Sequence, residues 1–476
     1  MKKMIWSIAW KNIWRNRVRS LVVIVAVVLG IMGGMLMIGF MNGLIEQRID
    51  ASIHNEISHV QIHEPEFMNN EEIEYTINNY DKIKNILDTL NGVVAYTARS
   101  KTFAMVQSDW STTGLVIKGV NLEKEKQVSD LSNFIIEGDF LENESRLPSI
   151  VIGSKAAEEL KLLNYQIEDN KMAAIDSLQI PAETTAKLDS LPLKRYRTEK
   201  QFSKALAAVL NEHEMKQFGK QLINYFSFYR LGAKVTVTIS DTAQIMVPIT
   251  FRVTGIYKTS NDMFDGMTAF VLENAVLKET GFGKDFIHEI AILTTNNEEG
   301  VLVAKELQRS LPNYSVLSWK QIAPDLAYMS DMMEFMDFIY VGIIMLALAF
   351  GIINTMLMAV LERAKELGML MAIGMNKMRV FSMIMLESVF LTLTGAIVGM
   401  GASALIFALL ARSGINLSMW SEGFEAMGYS AIIYPVVSAG NYINIILLVI
   451  LTGILASIWP ARKALKMNPA EALRTE

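Results

Sequence analysis

Residues 21–41 read LVVIVAVVLGIMGGMLMIGFM, a stretch of 21 residues without a single charged side chain. A helix of about 20 apolar residues is long enough to cross the hydrocarbon core of a bilayer. Three further segments meet the same criterion, and only the third of the four spans contains a charge, at Glu387. The predicted transmembrane helices are 21–44, 338–361, 380–411 and 442–460.

The composition of the whole chain agrees with a membrane protein that also has a soluble part. Hydrophobic residues make up 51% of the 476 residues and charged residues 20%, against about 25% in soluble domains. The chain has no cysteine, which excludes disulfide scaffolds, thiolate catalysis and Cys-ligated metals. We do not expect a cleaved signal peptide, because the first apolar core is longer than the usual 7–15 residues.

The distribution of basic residues predicts the orientation of the spans. Residues 1–20 contain six Lys or Arg and no acid, and the segments 362–379 and 461–476 are also rich in Lys and Arg. Cytoplasmic segments carry such an excess. Both termini and 362–379 are therefore predicted to be cytoplasmic, with 45–337 and 412–441 outside. The large outer segment is acidic overall, which argues against nucleic-acid binding.

The first 20 residues are predicted to form an amphipathic helix in the inner interface of the membrane. Trp6, Trp10 and Trp14 recur every four residues among basic residues, and tryptophan favours this depth. Either an elbow that transmits motion to the first span or a passive anchor would fit this pattern.

The outer segment 45–337 has the pattern of an α+β domain. Alternating stretches such as 58–63, 235–239 and 249–256 predict strands, and 151–160 predicts a strand followed by a helix. Residues 164–230 are charge-rich and helical in pattern, so we interpret them as an inserted subdomain, either a periplasmic partner-docking element or a tolerated decoration. The predicted fold class is an α-helical membrane protein with four transmembrane helices and this large extracytoplasmic domain.

Sequence signatures of an enzyme are absent. The sequence contains no G-x-x-x-x-G-K-[ST], no G-x-S-x-G and no H-E-x-x-H. His59 and His63 share one face of a strand but lie about 13 Å apart, too far to hold one metal. We therefore predict no catalytic, cofactor-binding or metal-binding residue on this chain. Glu387 is predicted to pair with Lys377 or Arg379, or to extend towards the interface.

Several motifs together resemble the FtsX-like permease family of ABC transporters, also known as the MacB type. The run NTMLMAVLERAKELGMLMAIGMNKMR (354–379) is similar to the family's link between its second and third spans. The runs AWKNIWRNR (9–17) and PARKALKMNPAEALR (460–474) resemble its opening and closing motifs. The outer runs VQIH (60–63), VIGSKAAEEL (151–160) and FRVTGI (251–256) resemble its periplasmic domain. The layout is most similar to lipoprotein-releasing permease subunits.

The resemblance implies a bacterial inner-membrane protein that works as a dimer, with a second copy or a paralogue. A separate ABC ATPase dimer would bind ATP and Mg, so this chain is not expected to be an enzyme by itself. The resemblance implies lipoprotein extraction, with two alternatives: control of a periplasmic cell-wall hydrolase by mechanotransmission, or efflux of peptides or drugs. The implied ATPase-coupling residues are Glu362, Arg363, Glu366, Gly368, Ala372, Gly374, Lys377 and Arg379.

Two further sets of residues are predicted from the spans. Small residues four apart allow close helix contact, either within the chain or between subunits. These are Gly30, Gly34, Gly39, Gly43, Gly395 and Gly399. Methionine and aromatic side chains at the outer ends of the first two spans would suit acyl chains, although ordinary span packing also explains them. This possible lipid path consists of Met37, Phe40, Leu44, Met336, Ile339 and Tyr340.

Overall fold

A computed structural model describes residues 2–15, 17–141, 146–168, 171–172, 175, 180–191, 194–240, 245–280 and 286–466. The chain divides into two compact units. The membrane unit comprises Met1–Gln47, Tyr328–Trp420 and Ala431–Glu476, and the outer unit comprises Arg48–Ala327 and Ser421–Ser430. The last ten residues of the predicted cytoplasmic tail and parts of the predicted insertion lie outside the described residues.

The described helices and strands are numbered in chain order. The helices are α1 (Lys2–Arg15), α2 (Arg17–Ser52), α3 (Phe67–Asn70), α4 (Tyr80–Leu87), α5 (Leu122–Val128), α6 (Ser154–Glu159), α7 (Ala182–Leu188), α8 (Glu199–Ala207), α9 (Glu212–Tyr225), α10 (Asp262–Met267), α11 (Glu273–Thr280), α12 (Asn297–Ser310), α13 (Trp319–Ile322), α14 (Pro324–Glu362), α15 (Ala364–Ala372), α16 (Lys377–Ser413), α17 (Ser421–Ala426) and α18 (Ala439–Leu465). The strands are β1 (Val60–His63), β2 (Val93–Gln107), β3 (Thr112–Val120), β4 (Ile135–Gly138), β5 (Ser149–Gly153), β6 (Leu163–Tyr165), β7 (Ser227–Tyr229), β8 (Lys234–Ser240), β9 (Met246–Tyr257), β10 (Thr268–Leu272), β11 (Glu289–Thr294), β12 (Ser315–Ser318), β13 (Ile415–Asn416) and β14 (Ile432–Ile433).

Four of the described helices, α2, α14, α16 and α18, are long and apolar enough to cross a membrane. The predicted fold class is confirmed, but the helices extend beyond the predicted span boundaries. The second span begins in a helix that starts at Pro324 rather than at 338, and the first continues through Ser52 into a π-helix, Ile53–Ile57. An apolar window marks only the length that crosses hydrocarbon, whereas the helix continues with polar residues outside it.

The helices that contain the predicted third and fourth spans are also longer than those spans. The third helix, Lys377–Ser413, is longer than 380–411 at both ends, and the fourth, Ala439–Leu465, is longer than 442–460. The predicted cytoplasmic loop 362–379 contains its own helix, α15. The predicted outer loop 412–441 contains the antiparallel strand pair β13–β14, with α17 in the connection between them.

All six glycines of the predicted packing set face neighbouring segments of the same chain. A Cβ at Gly30 or Gly34 would meet Leu348 or Ile344 of α14, and one at Gly39 would meet Phe407 of α16. Gly395 and Gly399 lie against Val27, Val28 and Ile31 of α2, and Gly43 lies against the backbone oxygen of Tyr434. Contacts within one subunit therefore account for these positions.

The outer unit is built on one ten-stranded sheet. Its strand order is β12-β1-β11-β2-β3-β10-β5-β9-β4, with β8 pairing with both β2 and β9. The pairs β3–β10 and β5–β9 are parallel and the other pairs are antiparallel. Apolar strand residues pack with helix residues, for example Ile62 and Ile290 with Val303 and Leu307 of α12. This mixed sheet with helices corresponds to the predicted α+β domain.

A cluster of ionic side chains is buried in this sheet. The Arg99 guanidinium donates to Glu125 at 2.8 Å and to Glu289 at 2.7 Å, and all three residues are almost fully buried. Burial alone would raise the pKa of Glu289, but the positive charges of Lys118 and Arg99 outweigh it and lower that pKa to about 2. Burial lowers the pKa of Lys118 to about 8. The cluster is paired, as buried charges must be.

The predicted insertion 164–230 has its own apolar core. Phe202 and Leu206 of α8 pack with Leu222 and Phe226 at the end of α9. The insertion is not purely helical, because β6 and β7 pair at its base, for example Asn164 with Phe228. Sequence periodicity does not detect strands of three residues, since a three-residue pattern fits helix and strand equally well.

Candidate functional site

The helix α15 and the turn after it form the predicted coupling segment. Arg363 bends the chain between α14 and α15, although its N–H still donates to the Ala359 carbonyl at 3.3 Å. Gly374 ends the segment with a φ of +98°, a conformation that favours glycine. The Asn376 side chain then caps α16 by accepting from the Met378 N–H at 3.0 Å. The predicted residues thus form a short helix between two sharp changes of direction.

The two faces of α15 differ in burial. Leu367 and Gly368 are buried against the rest of the membrane unit. Met369 and Ile373 are 51% and 79% exposed, and Ala372 and Gly374 are exposed beside them. We call Met369, Ala372, Ile373 and Gly374 the α15 tip. Contiguous exposed apolar side chains are one feature of surfaces that bind other proteins.

An ionic chain connects three helices around this segment. The Arg363 guanidinium donates to Glu366 at 3.1 Å and to Glu387 of α16 at 3.1 Å and 3.3 Å. The Arg15 guanidinium of α1 donates to the other oxygen of Glu366. The Arg363 and Glu387 side chains are 17% and 5% exposed, so breaking this pair would cost about 3–5 kcal/mol. Arg15 and Glu366 are far more exposed, and such pairs contribute only about 0–1 kcal/mol.

The predicted pairing of Glu387 with Lys377 or Arg379 is wrong. Those two residues precede Glu387 on the same helix by ten and eight positions, which is about 15 Å and 12 Å of helix rise. Lys377 and Arg379 are exposed at the start of α16, as is Glu362 at the end of α14. The partner of Glu387 is instead Arg363, which is distant in sequence and for which periodicity gave no signal.

The N-terminal helix α1 packs against α16 close to Glu387. The ring centroids of Trp6 and Trp10 lie 5.3 Å and 5.6 Å from that of Phe390, in edge-to-face arrangements. The outer parts of the Trp6, Trp10 and Trp14 rings remain exposed. The helix α1 therefore contacts the third span through Trp6 and Trp10, and part of each ring stays exposed.

The possible lipid-path residues lie on the surface of the membrane unit. Met37, Met336 and Ile339 are 37–41% exposed, and Phe40, Leu44 and Tyr340 are half-buried. A polar contact that sequence patterns do not reveal lies beside Met336 in the chain. Asp337 accepts hydrogen bonds from Asn441 of α18 at 2.9 Å and from Asn42 of α2 at 3.4 Å. Hydropathy places Asp337 in the outer domain, because the predicted second span begins one residue later.

No three His, Asp or Glu side chains come together as a metal site within the described ranges. His59, His63 and His288 instead use their ring nitrogens for hydrogen bonds to protein atoms. Burial lowers the pKa of His59 and of His288 to about 4. These neutral, buried rings serve the packing of the sheet.

Comparisons with known families match two parts of the chain. A model of the FtsX-like permease C-terminal family matches residues 338–469. A model of the MacB-like periplasmic core domain matches residues 20–171. Together the two matches cover more than half of the chain, and they include the spans, the coupling segment and the start of the outer unit.

Curated relatives are ABC transporter permeases. The chain is 29% identical to an uncharacterized ABC transporter permease of Methanocaldococcus jannaschii, over 48% of this chain and 55% of that protein. It is 26% identical to the ABC transporter permease YtrF of Bacillus subtilis, over 71% of this chain and 77% of that protein. It is 33% identical to the macrolide export ATP-binding/permease protein MacB of Chlorobaculum tepidum, over 26% of this chain and 17% of that protein. The chain thus spans less than two thirds of the first and third of these relatives.

Proposed function

We propose that this chain is a permease of the FtsX-like and MacB type of ABC transporters and that a separate ATPase dimer drives it through α15. The ATPase would bind ATP and Mg²⁺, and the permease would work as a dimer, with a second copy or a paralogue. Closure of the ATPase would push α15, move the spans and change the conformation of the outer unit. The protein is a multi-pass membrane protein.

The exposed α15 tip is the observation that carries this proposal. Ile373 alone is 79% exposed, and burying such a side chain in a partner's groove contributes about 2–3 kcal/mol. Small neighbours, Ala372 and Gly374, let the helix end seat closely against another protein. The excess of basic residues in segments 1–20 and 362–379 supports a cytoplasmic location for α15 in a bacterial inner membrane, where an ATPase has access to ATP.

We propose lipoproteins in the outer leaflet of that membrane as the substrate. Each CH₂ exposed to water costs about 0.8 kcal/mol, so three acyl chains of roughly 15 CH₂ each would cost about 36 kcal/mol. Expulsion into water is therefore excluded, and the transporter needs an apolar route for the chains. The exposed Met37, Met336 and Ile339 offer apolar surface where such a route would begin.

Efflux of a small amphipathic compound is the second candidate. It is favoured by the similarity to proteins named as macrolide exporters. Those relatives are named as combined ATP-binding and permease proteins, whereas the present sequence has no P-loop. Both candidates use the same coupling segment, so a test of α15 applies to each of them.

Charge placed on the α15 tip tests the coupling proposal. In Ile373→Glu, the carboxylate would have to be buried in the partner's groove, so we expect the amount of co-purifying ATPase to fall by about tenfold or more. The variant should still insert into the membrane, because the side chain is exposed in this subunit. The readout is quantitative mass spectrometry of the affinity-purified chain from native membranes.

The matched control is Met419→Glu. Met419 is 90% exposed but lies outside the coupling segment, after α16. Its variant should retain the full amount of ATPase. Equal ATPase recovery with Ile373→Glu, Met419→Glu and the natural chain would overturn the assignment of α15.

A further inference from the structure

The coupling helix α15 is attached to the third span at two points. One is covalent, through the turn at Gly374 that leads into α16. The other is ionic, because Arg363, next to the first residue of α15, holds Glu387 about three turns into α16. A Cβ at Gly374 would have no neighbour within 4 Å, so packing does not restrain the turn itself. Backbone hydrogen bonds in the turn and the buried Leu367 also hold α15, and the ionic contact adds a side-chain link to α16 at the end of α15 that is far from Gly374.

We propose that Glu387 is a positioning residue that locks α15 to α16 through Arg363, so that the two helices move as one body. This inference rests on the proposed function, in which an ATPase pushes α15. In the chain, α15 directly follows the second span, so a push would act first on α14. The Arg363–Glu387 contact would transmit the movement of α15 to the third span as well.

The burial of the pair explains why it would persist through a transport cycle. Glu387 is 4% exposed, and its two oxygens lie 3.3 Å and 3.1 Å from one Arg363 nitrogen. It is also the one charged residue in the stretch 380–411. A charge at such a position is costly unless it is paired, and charges inside spans are usually retained for a function. If position 387 served packing alone, an apolar residue would be sufficient there.

The second ion pair, between Arg15 and Glu366, has the properties of a reversible contact. Arg15 is 59% exposed at its side chain and Glu366 is 37% exposed, so water can replace this pair at little cost. The same helix α1 contacts Phe390, three positions after Glu387, through Trp6 and Trp10. Thus α1, α15 and α16 meet around Glu387, with one permanent contact and one that can open.

Spin-label distances test the lock, and the absence of native cysteine makes the labelling specific. One label replaces exposed Lys365, near the end of α15 that is far from Gly374, and the other replaces exposed Val398 on α16. The distance is measured by pulsed electron paramagnetic resonance in the purified complex, without nucleotide and with ATP plus vanadate. With Glu387 present we expect one narrow distance that is the same in both states.

Three variants separate the lock from general stability. Glu387→Gln keeps the shape and removes the charge, and it should broaden the distance and make it nucleotide-dependent. The exchanged pair Arg363→Glu with Glu387→Arg should restore a narrow distance. Arg412→Gln removes one charge at the other end of α16 and should change nothing. Transport in Glu387→Gln should fall by about 2- to 30-fold while the amount of bound ATPase stays the same.

Two results would overturn the proposal: a distance in Glu387→Gln as narrow as in the natural chain, or a natural chain whose distance changes with nucleotide. Failure of the proposed function gives a different result. If no ATPase is recovered with the natural chain, coupling to an ATPase is refuted. The width of the label distance without nucleotide, in the natural chain and in Glu387→Gln, still decides whether the ionic contact fixes α15.

Discussion

At the scale of single residues, Gly43 has the closest backbone contact of the glycines in the membrane unit. A Cβ there would lie 2.2 Å from the backbone oxygen of Tyr434, and a backbone atom cannot move aside as a side chain does. We expect Gly43→Ala to destabilise the unit by about 1–3 kcal/mol, as overpacking does. The midpoint of thermal unfolding in detergent measures the effect.

Gly33→Ala is the matched control for that substitution. Gly33 lies in the same helix, and a Cβ at this position would meet nothing within 4 Å. Because alanine favours a helix by up to about 1 kcal/mol over glycine, this variant should be neutral or slightly more stable. A Gly43→Ala protein as stable as Gly33→Ala would contradict the packing described here.

The buried histidine His59 predicts a pH dependence of the outer unit. Its Nδ1 accepts from the Thr294 N–H at 3.2 Å, and its Nε2 contacts the Asn297 side-chain oxygen at 3.1 Å, so protonation of Nδ1 would break a hydrogen bond. Burial lowers its pKa from about 6.5 to about 4. Between these values the unfolded state binds more protons, so the free energy of unfolding falls as the pH falls, by up to about 3 kcal/mol from this group.

The comparison of His59→Gln with His213→Gln isolates this contribution. His213 is exposed, so its replacement should leave the pH dependence of unfolding unchanged. Asp265 acts in the opposite direction, since burial raises its pKa to about 6 and its contribution to stability grows as the pH falls. The expected result in chemical unfolding of the full chain is a shallower loss of stability from pH 6.5 to 4 in His59→Gln. Identical slopes in both variants would refute the account of His59.

At the scale of elements, the π-helix Ile53–Ile57 at the end of α2 is fixed by one carboxylate. Glu56 accepts from Arg48 at 2.8 Å and from the Asn261 side chain at 2.9 Å, and its backbone oxygen accepts from Lys118 at 3.1 Å. A π-helix is uncommon and is often found at functional positions. These contacts connect the end of α2 to β3 and to the cap of α10 within the outer unit.

We expect Glu56→Ala to loosen this element. Arg48 is 12% exposed at its side chain and would lose its carboxylate, at a cost of about 2 kcal/mol or more. Amide hydrogen exchange of residues 50–58 in the full chain should rise by about tenfold or more as a result. Asp50→Ala, an exposed acid on the same helix, serves as the control and should leave exchange unchanged. Equal protection in both variants would contradict the role of Glu56.

The elements differ in how well sequence alone predicts them. The strand of residues 234–240 and the helix α12 follow from period-two and period-3.6 patterns, because each has one buried face. The strand of residues 60–63 also alternates in sequence, although all four of its residues are buried. The π-helix and the short strands β6 and β7 do not follow from such patterns, because tertiary contacts decide them. The ends of the long helices are also not predicted, because hydropathy indicates the length that crosses the bilayer and not the full length of the helix.

For the candidate site, the motif predicted the segment but not its contacts. The residues 362–379 carry the family pattern, and the structure brings Arg363 and Glu366 together as neighbours on one helix. The partners Glu387 and Arg15 lie 24 and 351 positions away from Arg363 and Glu366, respectively. Contacts over such separations depend on how the spans pack, and a single sequence does not contain that information.

At the scale of the whole molecule, the chain has a membrane unit with the exposed α15 tip and an outer unit built on a ten-stranded sheet. The given sequence contains no nucleotide-binding loop, and the proposed function assigns the energy supply to a partner ATPase. In our proposal the partner binds the exposed α15 tip, and the buried contact between Arg363 and Glu387 transmits the push to the third span.

Affinity purification of the natural chain from its own membranes in mild detergent, with mass spectrometry of proteins and lipids, tests the central claim most directly. We predict an ABC ATPase in a fixed ratio to the permease, together with lipoproteins. An ATPase accompanied by a cell-wall hydrolase and no lipidated cargo would replace transport with mechanotransmission. Recovery of the permease with no ATPase would contradict the claim that this chain is driven through α15.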